Sequence, residues 1–198
     1  MITKKGKICK RLFDICFSFF GILILLPIIF LIAISATISF RYNGFFWQKR
    51  IGQFGKPFLI FKIRTMYVQR KNSNYITVAN DKRSNKFGHF LRKTKLDELP
   101  QLFNIFIGNM SFVGPRPDVE GYADKLEGEN RIILEMKPGV TSPASIFFRN
   151  EEEILATKEN PKEYNDSVIW PKKIEINREY VENWSMKNDL KCIFKTVF

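Results

Sequence analysis

Apolar and polar positions divide the chain into a long uncharged stretch and a series of short alternating ones. Residues 15–40 contain no charged side chain, and most are apolar. At ~1.5 Å per residue a helix of that length reaches ~39 Å, enough to cross a hydrocarbon core of ~30 Å. It is too long for the apolar core of a signal peptide, and no small-residue cleavage site closes it. A membrane helix is therefore expected. Pro27 near its middle removes the hydrogen bond to the Leu23 carbonyl and predicts a kink.

Past Arg41 the pattern shortens. Residues 58–61 are apolar and run into Lys62-Ile63-Arg64, a strand ending in cations, while Gly52, Gly55 and Pro57 mark a hairpin turn before it. The Gly52 to Lys56 run lacks the spacing and terminal Ser/Thr of a Walker loop. Residues 67–86 are polar and irregular, the pattern of a mobile, cation-rich loop. Leu99, Leu102, Phe103 and Phe106 make one apolar helical stripe. A helix is expected over 118–136, a loop over 137–143, a short acidic helix over 151–158 and a helix over 171–182 with proline in its first turn. A last helix, capped by Ser185, places Leu190, Ile193, Phe194 and Val197 on one face. Helices rich in Phe, Leu and Lys suit a membrane interface as well as a protein core. The fold class is α+β, mainly helical, with a membrane unit over 1–41 and a second domain over 42–198.

Charge sharpens this division. Residues 1–14 carry a net +4, residues 41–96 a net +13 and residues 97–198 a net −5. The basic block suits nucleic acid, an anionic membrane face or a phosphorylated substrate. Basic residues flank both ends of the apolar helix (Lys4, Lys5, Lys7, Lys10 and Arg11 before it; Arg41, Lys49 and Arg50 after it). The positive-inside rule then gives a spanning helix no direction. A helix broken at Pro27, entering and leaving on one face, puts both flanks in the cytoplasm and satisfies the rule. The three cysteines form no CxxC, and the lone His89 has no cysteine partner at zinc spacing, so no structural metal site is expected.

Residues 92–117, RKTKLDELPQLFNIFIGNMSFVGPRP, carry the candidate chemistry. Asp97-Glu98 follows Arg92, Lys93 and Lys95, and Arg116 stands between two prolines that fix its direction. Two carboxylates among cations are what phosphoryl chemistry with a divalent metal needs: one can attack phosphorus or hold the metal, and the arginines neutralise phosphate oxygens. A plainer reading makes Asp97 a helix N-cap with Glu98 and Pro100 in the first turn. The two are compatible, because a helix N-terminus is itself an anion site.

The ordered motifs resemble the small monotopic phosphoglycosyl transferases of the bacterial sugar transferase family. The likeness runs from about Lys10 to Thr196. It is carried by Lys10-Arg11-Leu12-Phe13-Asp14, Gln48-Lys49-Arg50-Ile51-Gly52, Phe61-Lys62-Ile63-Arg64-Thr65-Met66, Leu91-Arg92-Lys93-Thr94 and Leu96-Asp97-Glu98-Leu99-Pro100-Gln101-Leu102. Gly108-Asn109-Met110-Ser111, Val113-Gly114-Pro115-Arg116-Pro117 and Lys137-Pro138-Gly139-Val140-Thr141 complete it. The resemblance implies transfer of a sugar-1-phosphate from a UDP-sugar to undecaprenyl phosphate with release of UMP, the first membrane step of a bacterial glycan pathway such as capsule, lipopolysaccharide or exopolysaccharide assembly. It implies a re-entrant helix with Pro27 at the break, and a catalytic domain on the cytoplasmic face of the inner membrane, in contact with its lipids. Asp97 would attack the sugar-bearing phosphate, Glu98 with Asp97 would hold Mg²⁺, and Lys62, Arg64, Arg92 and Arg116 would engage phosphate oxygens. A homodimer is left open.

Three positions depart from the family's pattern. Leu26 stands where serine often precedes the proline. Ser142-Pro143-Ala144-Ser145-Ile146 replaces a Gly-Trp and glutamine segment that bears on the sugar, and His89 stands where arginine is common. Two other readings stay in view. One is a membrane-anchored module docking anionic lipid or nucleic acid, although no nucleic-acid motif is present. The other is a bilayer-spanning polyprenyl-phosphate glycosyltransferase, which would release UDP.

Overall fold

A computed structural model of the chain describes residues 2–68 and 83–197. Most of the polar stretch expected to be a loop, residues 69–82, lies outside the described residues, as does the side chain of Val197.

Helix α1 (Lys4–Phe40) is capped by Thr3, whose hydroxyl accepts from the Gly6 amide at 3.1 Å. It is the one helix among the described residues long and apolar enough to cross a membrane. The expected break at Pro27 does not interrupt it: the helical assignment runs through the proline. A proline removes one hydrogen bond, and the turns on either side keep theirs. Lys10, Asp14, Ser18, Ile29, Ala33, Ala36 and Phe40 are buried along one stripe, while Phe17, Phe20, Leu23, Ile24, Phe30, Leu31 and Ile38 are exposed.

The family-like motif at the start of α1 ties it to the rest of the molecule. Lys10 pairs with Asp189 at 2.5 Å, and Asp189 also accepts from Tyr180 and Trp184. Arg11 donates to the carbonyls of Ile105 and Phe106, both at 2.7 Å, supplying donors and positive charge to a helix C-terminus whose last carbonyls have no intrahelical donor. Asp14 accepts from the Ser111 hydroxyl and the Phe112 amide. Nothing in the sequence alone marked Asp189 as the centre of this lock.

Strands β1 (Phe45–Ile51) and β2 (Pro57–Ile63) form the expected antiparallel hairpin, with Phe46 opposite Lys62 and Arg50 opposite Phe58. Helix α2 (Lys86–Lys93) approaches the segment that follows β2 so closely that a Cβ on Gly88 would lie 2.2 Å from the Thr65 carbonyl. Helix α3 (Gln101–Ile107) follows. Of the predicted stripe, Leu99, Leu102 and Phe103 are partly buried, against α1 and its neighbours, and Phe106 is exposed; the fully enclosed side chains are Gln101, Asn104 and Ile105. Asn104 is buried because it substitutes for a missing strand: it accepts from the Phe61 amide at 2.9 Å and donates to the Leu59 carbonyl at 2.7 Å.

Two further expectations are corrected. Residues 118–136 are not an α-helix but two 3₁₀ segments, Ala123–Lys125 and Gly128–Glu135, because Gly121 and Gly128 take positive φ and break the run. The stretch 137–143 is not only loop: Gly139–Thr141 is strand β4, parallel to β3 (Ser111–Val113). The tail holds α4 (Pro143–Phe147), α5 (Glu151–Ala156), α6 (Pro161–Tyr164), which runs through a π-turn into α7 (Trp170–Glu182), and α8 (Met186–Val197). Ser185 caps α8 as expected. Of its predicted apolar face, Leu190 and Phe194 are exposed and Ile193 is half-buried against the cluster of Val113, Met136 and Tyr180, while Asp189 and Cys192 are buried.

Candidate active site

The acidic pair is aimed by a sharp reversal after α2. Lys95 adopts φ 57°, a left-handed conformation that costs a non-glycine residue energy. The next three residues, Leu96–Glu98, form a single 3₁₀ turn. Leu96 and Leu99 anchor that turn against the cluster of Ile63 and Leu91. Asp97 is thereby driven inward to 7 % exposure. Its Oδ1 is buried with no hydrogen-bond partner. The capping reading is not met, since no side chain caps the 3₁₀ turn or α3, and Pro100 holds the position before α3.

Glu98 is the opposite case. Its Oε1 accepts from Lys62 Nζ at 2.9 Å and from the Arg116 guanidinium at 3.2 Å. Lys62 arrives from the end of β2, which Asn104 holds in place. Arg116 arrives from a backbone crossing that only glycine permits: a Cβ on Gly114 would lie 2.2 Å from the Lys137 carbonyl, and one on Gly139 would lie 2.1 Å from the Gly114 nitrogen. The amides of Gly114 and Gly139 donate across this crossing to Thr141 and Pro115.

A second layer lies behind Arg116. Register puts Gln48 and Arg50 on the Lys62 face of the hairpin. Arg50 donates to Gln48 Oε1 at 2.8 Å and to the Pro117 carbonyl at 3.3 Å, and the Ile51 amide donates to the Asp118 carbonyl at 2.8 Å. These contacts fix the peptide on either side of Pro117. The alternation of Phe46, Gln48 and Arg50 along β1 was the available signal for Arg50; Asp118 had none.

Charge follows this geometry. Burial raises the Asp97 carboxyl above the usual range and the Glu98 charge adds to it, although Lys62, Lys95 and Arg92 oppose them. Burial would raise Glu98 too, but Lys62, Arg116 and Lys95 outweigh it and hold that carboxyl far below its usual range. Adjacent carboxylates with opposed proton affinities are suited to different roles. Burial also pushes Asp118 up to about 7, against the pull of Lys173, Arg50 and Arg116. Arg50 is lowered to about 10 by burial and by Arg116.

The structure thus brings Lys62, Asp97, Glu98 and Arg116 together. It places two other expected residues differently. Arg92 pairs with Glu152 of α5, and Arg64 lies over the rings of Tyr42 and Phe46 while donating to the Asn43 carbonyl. Pro27 lies in the interior of α1. No group of three or more Asp, Glu, His or Cys among the described residues could hold a metal ion. Two carboxylates do fit Mg²⁺, which commonly takes one or two from the protein and completes its shell with phosphate and water; the unpartnered Asp97 Oδ1 is one such oxygen.

Comparison with known proteins adds what geometry leaves open. A sequence model described as bacterial sugar transferase matches residues 5–198. The UDP-glucose:undecaprenyl-phosphate glucose-1-phosphate transferase of Escherichia coli (strain K12) is 37% identical over 200 residues, covering 98% of this chain and 40% of the relative. An uncharacterized sugar transferase, EpsL, of Bacillus subtilis (strain 168) is 36% identical over 191 residues, covering 96% of this chain and 86% of the relative. The exopolysaccharide production protein ExoY of Sinorhizobium fredii is 30% identical over 210 residues, covering 97% and 85%. The chain therefore spans about two fifths of the length of the Escherichia coli relative and most of the other two.

Proposed function

The chain belongs to the bacterial sugar transferase family, and from that premise we propose that it transfers a sugar-1-phosphate from a UDP-sugar to undecaprenyl phosphate, releasing UMP. The observation that carries this reading is the asymmetry of the acidic pair: Glu98 is neutralised by two cations, while Asp97 is buried, has no hydrogen-bond partner on Oδ1 and is raised in basicity. A carboxylate oxygen with no hydrogen bond to give up is a better nucleophile than one held in ion pairs. An Asp97 carboxylate oxygen attacks the sugar-bearing phosphorus. The bond from that phosphorus to the bridging oxygen breaks, and UMP leaves with the electron pair. A lipid phosphate oxygen then attacks the phosphosugar-aspartyl phosphorus, the bond to Asp97 breaks, and the carboxylate returns. Lys62 and Arg116, fixed by Glu98, meet the developing charge on the phosphoryl oxygens.

Asp97 and Glu98 would hold Mg²⁺, which supplies charge neutralisation to the donor phosphates when bound. Arg92 is available to phosphate once Glu152 releases it. The Escherichia coli relative is named for glucose transfer, but the departure at residues 142–146 leaves the sugar to be identified by assay.

The buried stripe of α1 supports membrane attachment from one face. Lys10 and Asp14 near one end of α1, and Ile29, Ala33, Ala36 and Phe40 towards the other, pack against the rest of the chain, and these contacts span about 45 Å. That exceeds the ~30 Å hydrocarbon core, so a spanning helix would drag the domain into lipid. The exposed apolar face of α1 would enter the inner leaflet, Pro27 would let the helix bend there, and the domain would stay on the cytoplasmic side. The test is the released nucleotide. Membrane-reconstituted protein, screened with UDP-sugars, Mg²⁺ and undecaprenyl phosphate, should yield UMP; release of UDP would replace this reading with simple glycosyl transfer.

A further inference from the structure

Among the cations around the acidic pair, Arg92 has a partner that the reaction does not use. It lies in the last turn of α2, and its carbonyl accepts from the Lys95 amide at 3.2 Å, so the reversal that buries Asp97 begins on Arg92 itself. Burial raises the Asp97 carboxyl, and Arg92 is one of the cations that oppose it. The Arg92 guanidinium is bound to Glu152, in the first turn of α5. A guanidinium offers a carboxylate the same planar fork that it offers a phosphate.

Helix α5 is anchored so as to present that carboxylate. Leu155 is buried beneath it, and Glu151 accepts from Lys173 of α7 through both oxygens, at 2.7 and 2.6 Å. Glu152 is the freer of the two, with 47% of its side chain exposed against 28% for Glu151. Glu151 is felt elsewhere in the site: it adds to the effect of Glu98 in raising the Arg116 guanidinium, against that of burial. The acidic turn of α5 thus acts on Arg92 by contact and on Arg116 by charge. A donor phosphate brought to Arg92 beside Glu152 meets like charge, so the two compete for the guanidinium.

We propose that Glu152 is a positioning residue that stands in for a phosphate on Arg92. It holds the guanidinium near Asp97 before the donor arrives, yields it to a donor phosphate, and takes it back as UMP leaves. The proposal rests on the phosphosugar-transfer reading above and adds to it a competing carboxylate that sets donor affinity. Two features fit Glu152 to this part. Its pair with Arg92 is half-exposed, of the kind worth only ~2–5-fold in an equilibrium constant, so a pyrophosphate can displace it. Glu151, held by Lys173, keeps α5 in place while Glu152 lets go. Lys62 and Arg116 have no such exchange, because their shared partner, Glu98, is enclosed.

The test is the binding of UDP, which carries both donor phosphates whatever the sugar, titrated by calorimetry into the full chain in nanodiscs with Mg²⁺. Glu152→Gln should bind UDP about two- to fivefold more tightly than wild type, a gain that lost folding would not give. Arg92→Gln should bind it more weakly, and the double variant should match Arg92→Gln alone, because Glu152 acts through Arg92. Glu153→Gln, the same charge change one residue on, should leave the Kd within about 1.5-fold, since an exposed charge is screened. Equal or weaker binding by Glu152→Gln, a gain that persists without Arg92, or an equal gain from Glu153→Gln would overturn the assignment. UDP binding that Arg92→Gln leaves unchanged strikes the role of Glu152 alone. If wild-type protein binds no UDP, the transferase reading fails and this inference falls with it.

Discussion

Removing the charge from Asp97 and from Glu98 should end turnover in both cases but move stability in opposite directions. Glu98 is enclosed, with a side-chain exposure of 9%, and holds Lys62, at 15%, and Arg116, at 45%. Breaking a buried pair from one side costs ~3–5 kcal/mol. Glutamine keeps a neutral acceptor for Lys62, and the half-exposed Arg116 can turn to water, so Glu98→Gln should lose about 2–3 kcal/mol. For a chain of this size each kcal/mol moves Tm by about 2–4 °C, which predicts a fall of roughly 5–10 °C. Asp97 pays for burial without a partner on Oδ1. Its isosteric Asp97→Asn change removes a desolvated charge and should gain about 1 kcal/mol, a rise of a few degrees. Thermal unfolding in one detergent, beside a UMP-release assay, measures both. A helix N-cap would make Asp97→Asn neutral in stability and activity, because Asn caps as well as Asp. If Asp97→Asn turns over normally, or lowers Tm as far as Glu98→Gln does, the division of roles within the pair is wrong.

Three other outcomes test separate parts of the account. Asp118 has a folded-state pKa pushed up to about 7, so its ionisation weighs against the fold as pH rises from the unfolded carboxylate range through 7. The Tm of Asp118→Asn minus that of wild type should be more positive at pH 8 than at pH 5, and a pH-independent difference would refute the assignment. Asn104→Ala removes the partners of the Phe61 amide and Leu59 carbonyl and should cost about 2–4 kcal/mol by denaturant unfolding; a loss under about 0.5 kcal/mol would mean the strand edge is satisfied otherwise. Cysteines at Thr3 and Lys56, with Cys9 and Cys16 replaced by serine, should both resist an impermeant thiol reagent in intact cells and react after permeabilisation. Labelling of either one from outside would mean that α1 spans the bilayer.

Much of this arrangement was legible in the residues, and the failures have physical causes. The long apolar run, the Gly-Pro hairpin turn, the proline-opened α7 and the Ser185 cap all act locally, so sequence spacing reports them directly. The acidic pair with Lys62 and Arg116 was visible as chemistry, but only the family resemblance divided the roles of Asp97 and Glu98; both carboxylates are enclosed, and what separates them is that Lys62 and Arg116 reach Glu98 and leave Asp97 Oδ1 without a partner. Arg92 was expected to meet phosphate from the family resemblance and its place just before the acidic pair; in this structure it pairs with Glu152, sixty residues away, a contact that sequence spacing does not report. Asn104 looked like a gap in an apolar stripe, since a side chain standing in for a strand leaves no periodic trace. Gly121 and Gly128 were sufficient to break the expected helix over 118–136, yet the run between them kept helical periodicity.

The most direct test of the central claim is a single incubation of the protein with Mg²⁺ and its UDP-sugar donor in the absence of any lipid acceptor. The account predicts that UMP appears in an amount approaching that of the enzyme, that a sugar-phosphate mass appears on the peptide containing Asp97, and that Asp97→Asn shows neither. UMP that forms only after polyprenyl phosphate is added, with no modified peptide, would contradict it and leave Asp97 as a metal ligand or base for direct transfer.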